Sequence, residues 1–343
     1  MHMADALLSP AVGGTMWAVT AGITAYSTRK LKESGDDARI PLMGVLGAFI
    51  FAAQMINFSI PATGSSGHIG GGMILAILLG PYAAFVVLAS VLAVQALFFA
   101  DGGLLALGCN IFNLAFFPCF VAYPFVYRAI VDRDPSNFRI MIGSVASVVV
   151  ALQLGAFSVV LETLASGISE LPFRTFLLLM QPIHLAIGLV EGVITAAVVS
   201  FVWKARPEVI QAAQSGTPFG AVSLKKVMVF FLAATVITGG VLSWFASSFP
   251  DGLEWAIERT SGQEELEPPE GGIHSVLAVL QERFSFLPDY GFRENAAVGE
   301  EDAKAPAQEG AVMDTGTSVS GLVGGMLVFL VAAGTGLLLR KTT

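Results

Sequence analysis

The sequence predicts an all-α polytopic membrane protein: a seven-segment helical bundle, then two further membrane helices flanking an extracytoplasmic segment. Three observations lead there. Of 343 residues, 55% are hydrophobic and only 13% charged, with a mean hydropathy of +0.74; a soluble domain carries about 25% charged residues. Apolar runs recur at roughly 9–28, 40–58, 71–99, 105–127, 138–163, 175–203, 227–246 and 320–339. Basic residues cluster at the ends of these runs, as they do on the cytoplasmic side of membrane helices.

The first run is followed by Arg29, Lys30, Lys32 and Arg39, which places the amino terminus outside. The second run returns to the outside, so the loop 59–70 shares a membrane face with the chain start. The run 71–99 would make a helix about 44 Å long, more than the roughly 30 Å hydrocarbon core requires. Gly80-Pro81 interrupts it. A short descent over 69–80 and a return over 82–99 leave Arg128, Arg133, Arg139, Lys204, Arg206, Lys225, Lys226, Arg340 and Lys341 all inside, with Arg174 the one exception. A single crossing would reverse Arg128, Arg133 and Arg139. The short arm need not span, because broken helices are tolerated where protein surrounds them.

The domain boundaries follow. Residues 1–204 form the membrane bundle, and 205–226, with Pro207 and Pro218, a polar cytoplasmic linker. Residues 227–343 form an auxiliary module of two membrane helices (227–246 and 320–339) around an acidic outer segment, 247–319. That segment holds 15 of the 26 acids and 4 of the 18 bases, a net −11 against +3 for the remainder, which together give −8. Its stretch 294–319 is rich in Ala, Gly, Glu and Pro and reads as a flexible tether. No basic, aromatic-rich patch points to nucleic acid. Cys109 and Cys119 are ten apart, unlike a zinc motif, and read as small buried hydrophobes.

The chemistry lies at the start. Met1 is followed by His2, whose bulk opposes removal of the methionine, so a free, deformylated amine is expected on Met1. The amine, the first amide nitrogen and the His2 imidazole are three donors already arranged as a chelate. His68, in the loop Ala62-Thr63-Gly64-Ser65-Ser66-Gly67-His68, is placed on the same face to give the fourth. The α-amino pKa is about 8, so a metal displaces its proton near neutral pH. Four nitrogens in a plane suit Ni(II) or Cu(II) better than zinc, which favours a tetrahedron. The plain alternative is that a histidine at position 2 does nothing.

The opening Met-His-Met-Ala-Asp-Ala-Leu-Leu-Ser-Pro (1–10) resembles that of the cobalt/nickel substrate-capture subunits of energy-coupling factor transporters, the CbiM/NikM family. So do Asn57-Phe58-Ser59-Ile60-Pro61 leading to Gly67-His68, the run Ala76 to Pro81, Gln95 to Gly103, Ala106 to Asn110, and His184 through Ile187-Gly188 to Glu191 and Ile194-Thr195. Asp5-Ala6 departs from the family's Asp-Gly. Pro250-Asp251-Gly252-Leu253-Glu254-Trp255 resembles a small auxiliary (PDGLE-type) module, here fused. The resemblance implies metal ligation by Met1, His2 and His68, with Ni(II) or Co(II) as the bound substrate and no organic cofactor. It also implies a transmembrane scaffold subunit and two ATPase subunits as partners, in a bacterial cytoplasmic membrane.

Other polar residues take supporting parts in this reading. Asn57, Ser65, Asp101 and Asn110 are candidates to orient the loop or a ligand ring, and Asn113 another. His184 and Glu191, two helical turns apart, share a face and mark a pathway or a structural hydrogen bond. Gly44, Ala48 and Ala52 make a stripe of small residues expected to dock the scaffold subunit. No Gly-x-x-x-x-Gly-Lys-[Ser/Thr] is present, nor any nucleophile–base constellation, so the chain is not expected to be an enzyme and energy must come from partners. A membrane metal sensor that binds without translocating is the alternative function.

Overall fold

The computed structural model describes residues 2–132, 135–263, 266–293 and 315–340. Met1, two of the topology markers (Arg133 and Lys341) and most of the expected tether lie outside the described residues.

After a single 3-10 turn at Asp5–Leu7, α1 (Pro10–Ser34) starts with Ser9 as its cap and Pro10 at its first position, where a missing N–H costs nothing. It ends on Gly35, whose φ of 62° is left-handed. α2 (Arg39–Gln54) follows. The loop after it carries a feature the all-α reading omits, a small antiparallel hairpin of β1 (Phe58–Ile60) and β2 (Ser65–Gly67) with Phe58 opposite Gly67. Three-residue strands in a Gly/Ser-rich stretch leave no alternation to read.

The run 71–99 is broken as its Gly-Pro pair requires. α3 (Gly72–Leu79) ends at Gly80, with φ 81° and ψ 161°, and α4 (Pro81–Phe98) starts on the proline. α3 is buried on every side, consistent with its unbroken apolar sequence. α5 (Leu107–Val131) is wound as a wide, i→i+5 helix over Phe112–Tyr127, the stretch that holds Pro118 and Pro124. Proline lacks a donor and its ring crowds the preceding turn, so regular α winding is interrupted there. α6 (Asn137–Ser166) and α7 (Phe173–Ala205) form a long antiparallel pair.

The linker at 205–226 is more ordered than its polar composition suggests. Its helix α8 (Pro207–Ser215) buries Val209, Ile210, Ala212 and Ala213 against α3 and α7. In the C-terminal region α9 (Lys225–Gly240) leads to a segment containing α10 (Gly252–Ser261) and α11 (Gly272–Phe284), and α12 (Thr315–Leu338) is the last helix described.

Among the described residues five helices are long and apolar enough to cross a membrane: α4, α5, α6, α7 and α12. This is a multi-pass membrane protein. The sequence expectation counted more segments. α2 and α9 have 16 residues each and α3 eight, while glycines and threonines dilute the apolar character of α1.

One expectation is corrected outright. The stripe Gly44, Ala48 and Ala52 is buried and covered largely by α12 of the same chain, not left open for a scaffold subunit. A Cβ placed on Gly44 would stand 2.9 Å from the Phe329 ring, and one placed on Gly325 would stand 3.7 Å from the Ala48 carbonyl oxygen. Small residues allow this close approach.

Candidate metal site

The fold brings His2 and His68 together. Their rings stack with centroids 5.1 Å apart and planes 4° from parallel. Each ring has one nitrogen committed. His2 Nδ1 lies 3.0 Å from an Asp101 carboxylate oxygen, and His68 Nδ1 lies 3.2 Å from the Ile69 carbonyl oxygen. Both partners accept only, so each Nδ1 carries a proton. His2 Nε2 is buried with no hydrogen-bond partner among the described residues. Burial first, then the neighbouring His2, pushes the His68 pKa down to about 3, so the ring stays neutral, the form that binds metals. Burial raises the Asp101 carboxyl, but His2 and a Tyr290 hydrogen bond outweigh it and hold its pKa at about 2.

The amino-terminal segment is pinned beside this pair. Asn110 accepts from the Met3 N–H at 2.7 Å and donates to the Met3 carbonyl at 3.1 Å, as a strand partner would. Gly103 N–H donates to the same carbonyl at 2.9 Å, and Asp5 accepts from the Ala106 N–H. Glycine is required in this loop: a Cβ on Gly103 would overlap the Asp5 carboxylate at 1.8 Å. From the opposite side, His274 on α11 approaches the Leu8 carbonyl at 2.9 Å, and Gln281 donates to the carbonyls of Ala96 and Gly102.

The hairpin that ends in His68 is held by the outer segment. Ser66 N–H donates to the Pro250 carbonyl and Ser66 Oγ to the Phe249 carbonyl. Ser247 N–H donates to the Asn57 carbonyl, and Trp255 Nε1 to the Thr63 carbonyl. The Asp251-Gly252-Leu253-Glu254 motif is a capping box. Asp251 accepts from the Leu253 and Glu254 amides, and Glu254 accepts from the Asp251 amide.

The residues singled out from sequence therefore sort as follows. Asp101 touches His2, and Asn110 grips the neighbouring Met3. Asn57 and Ser65 do not reach the His68 ring. Asn57 anchors the hairpin by its carbonyl, and the buried Ser65 hydroxyl points to the Ser66 and Pro250 carbonyls. His184 Nδ1 lies 2.8 Å from the Met180 carbonyl one turn back, and Glu191 accepts from the Gly71 N–H at 2.9 Å. Both line a cavity that also reaches His68 and Asp251.

Sequence reasoning missed one relay. Gln54 donates to the Gly70 carbonyl beneath His68, Gln95 donates to Gln54 and to the Tyr290 hydroxyl, and Tyr290 donates to Asp101. The glutamines were findable as polar residues inside apolar runs. Tyr290 carries no such signal, because only the fold brings a residue so distant in sequence onto Asp101. Among the described residues no three His, Cys, Asp or Glu side chains converge as a metal cage.

The family described as the cobalt uptake substrate-specific transmembrane region matches residues 2–209, and the PDGLE domain matches residues 225–341. The Fused nickel transport protein NikMN of Rhodobacter capsulatus is 28% identical over 325 residues, covering 87% of this chain and 91% of that one. The Cobalt transport protein CbiM of Geobacter sulfurreducens is 28% identical over 284 residues, covering 78% and 80%. A crystal structure titled as a truncated transition metal transporter superposes with a TM-score of 0.53 at 32% identity, covering 60% of this chain and 99% of that one. With 208 of its 343 residues matched, this chain belongs to the family of cobalt uptake substrate-specific transmembrane regions, and it carries a PDGLE domain at its C-terminal end.

Proposed function

We propose that this chain is the metal-capturing membrane subunit of an ATP-driven uptake transporter for nickel or cobalt. The observation that carries the reading is the His2–His68 stack, beside a segment anchored through Met3. The ligands assigned are the Met1 amine, the His2 amide and imidazole, and His68. Two imidazoles make a weak site alone, and backbone nitrogens supply the remaining donors. The relatives named for nickel and for cobalt transport support the substrate class. A planar nitrogen field favours nickel.

His2 Nδ1 is the ring nitrogen that can close a six-membered chelate with its own amide. Capture through it requires the imidazole to release Asp101, which exchanges one interaction for another. Asp101 then stands beside the bound cation as an unneutralised carboxylate, offsetting its charge. The module 227–343 is read as an outer cap, with the amino terminus extracytoplasmic and the boundaries at 204 and 226 as given above. In this reading partner ATPases and a scaffold subunit in the cytoplasmic membrane supply the energy.

Adding one residue before Met1 tests this reading. The extension moves the amine out of the chelate, and Ni(II) affinity measured by titration of purified protein is expected to fall at least a hundredfold. Unchanged affinity would show that the amino-terminal nitrogens are not ligands.

A further inference from the structure

Three buried side-chain atoms below the His68 loop are left without a partner in a way that packing does not explain. His184, Glu191 and Asn113 are each only 1% exposed. Each commits one atom to the structure: His184 Nδ1 to the Met180 carbonyl, one Glu191 oxygen to the Gly71 N–H, and Asn113 Nδ2 to Glu162 at 2.7 Å. The other atom of each, His184 Nε2, Glu191 Oε2 and Asn113 Oδ1, meets no hydrogen-bond partner among the described residues. Buried polar groups in folded proteins are almost always satisfied, and an unpaired one costs about 1–3 kcal/mol.

The three are arranged in sequence along a path. One cavity contains His68, Asp251, His184 and Glu191 in its wall. A second contains Glu191 and Asn113. Both share Gly70, Leu114, Leu152 and Glu191, so Glu191 stands at the junction. On α7 the stripe continues to Thr195, one turn beyond Glu191, whose buried hydroxyl also lacks a partner among the described residues. From His184 to Thr195 is 11 residues, about 16 Å of helix, or half the depth of the hydrocarbon core.

We propose that His184, Glu191 and Asn113 line an intramembrane transit path for a divalent transition-metal ion that has left His2 and His68. The proposal rests on the capture reading. An imidazole nitrogen, a carboxylate oxygen and an amide oxygen are donors that nickel and cobalt accept. A carboxylate buried without a cation is costly, and a passing divalent ion compensates it. Few ligands suit a transit path, which must bind weakly enough to release.

The test separates transit from capture. Two variants remove only the unpartnered atom: Glu191→Gln keeps an acceptor for the Gly71 N–H, and His184→Asn keeps a donor near the Nδ1 position for Met180. Each full-length variant is titrated with Ni(II) after purification, and 63Ni uptake is measured in cells supplying the scaffold and ATPase subunits. Ni(II) affinity within threefold of wild type together with uptake reduced at least tenfold is the expected result. Uptake within twofold of wild type would overturn the proposal, leaving the two groups to be satisfied by buried water. Affinity and uptake falling together would also overturn it, since the residues would then be holding the His68 loop. A wild-type chain that binds no Ni(II) would instead refute the capture reading itself.

Discussion

At the residue scale, His2 and Asp101 carry most of the argument. The juxtaposition of His2 and His68 was legible, because charge placement put the start of the chain and the glycine-flanked loop on one face, and the rings stack. What could not be read was the orientation of the rings. Asp101, Gln95 and Tyr290 set it, and they come from three separate parts of the chain. Partners that orient a ligand typically change metal affinity 10–100-fold. Asp101→Ala is expected to weaken Ni(II) binding about tenfold by removing the carboxylate that offsets the charge of the bound cation, and Tyr290→Phe less, both read by titration. An Asp101→Ala chain that binds as tightly as wild type would mean that the bound cation needs no carboxylate beside it.

At the element scale, the sequence was informative where backbone chemistry is decisive. Gly80-Pro81 forces the break between α3 and α4, because the glycine takes a positive φ and the proline begins a new helix. It was silent on the β1–β2 hairpin, whose strands are too short for periodicity. It misled at 205–226, where α8 hides four apolar residues within a polar stretch. The small-residue stripe on α2, expected to dock a scaffold subunit, packs instead on α12, some 280 residues away in sequence. Composition cannot say whether such a face meets another subunit or the same chain. Gly44→Leu should force the Phe329 ring, and the main-chain oxygen 3.1 Å away, out of place. Overpacking of this kind costs about 1–3 kcal/mol, expected as a lowered melting temperature of the purified protein. An unchanged melting temperature would show that the α2–α12 contact is loose.

At the scale of the whole molecule, the C-terminal part of the chain packs closely on the bundle. The module packs α12 on α2, fixes the hairpin through Ser247, Pro250 and Trp255, and places Tyr290 on Asp101. The acidic balance of its outer segment, −11 overall, suits a surface that attracts divalent cations toward the His68 loop. Near that loop, His184, Glu191 and Asn113 each carry a buried polar atom without a partner among the described residues. The proposed capture and the proposed onward movement fall to different residues, the first to the chain start and His68, the second to the polar groups beneath them.

X-ray absorption spectroscopy on the Ni(II)-loaded, full-length protein tests that first step most directly. The account predicts a four-coordinate planar site of nitrogen donors only, including two imidazoles. A six-coordinate, oxygen-rich spectrum would contradict it.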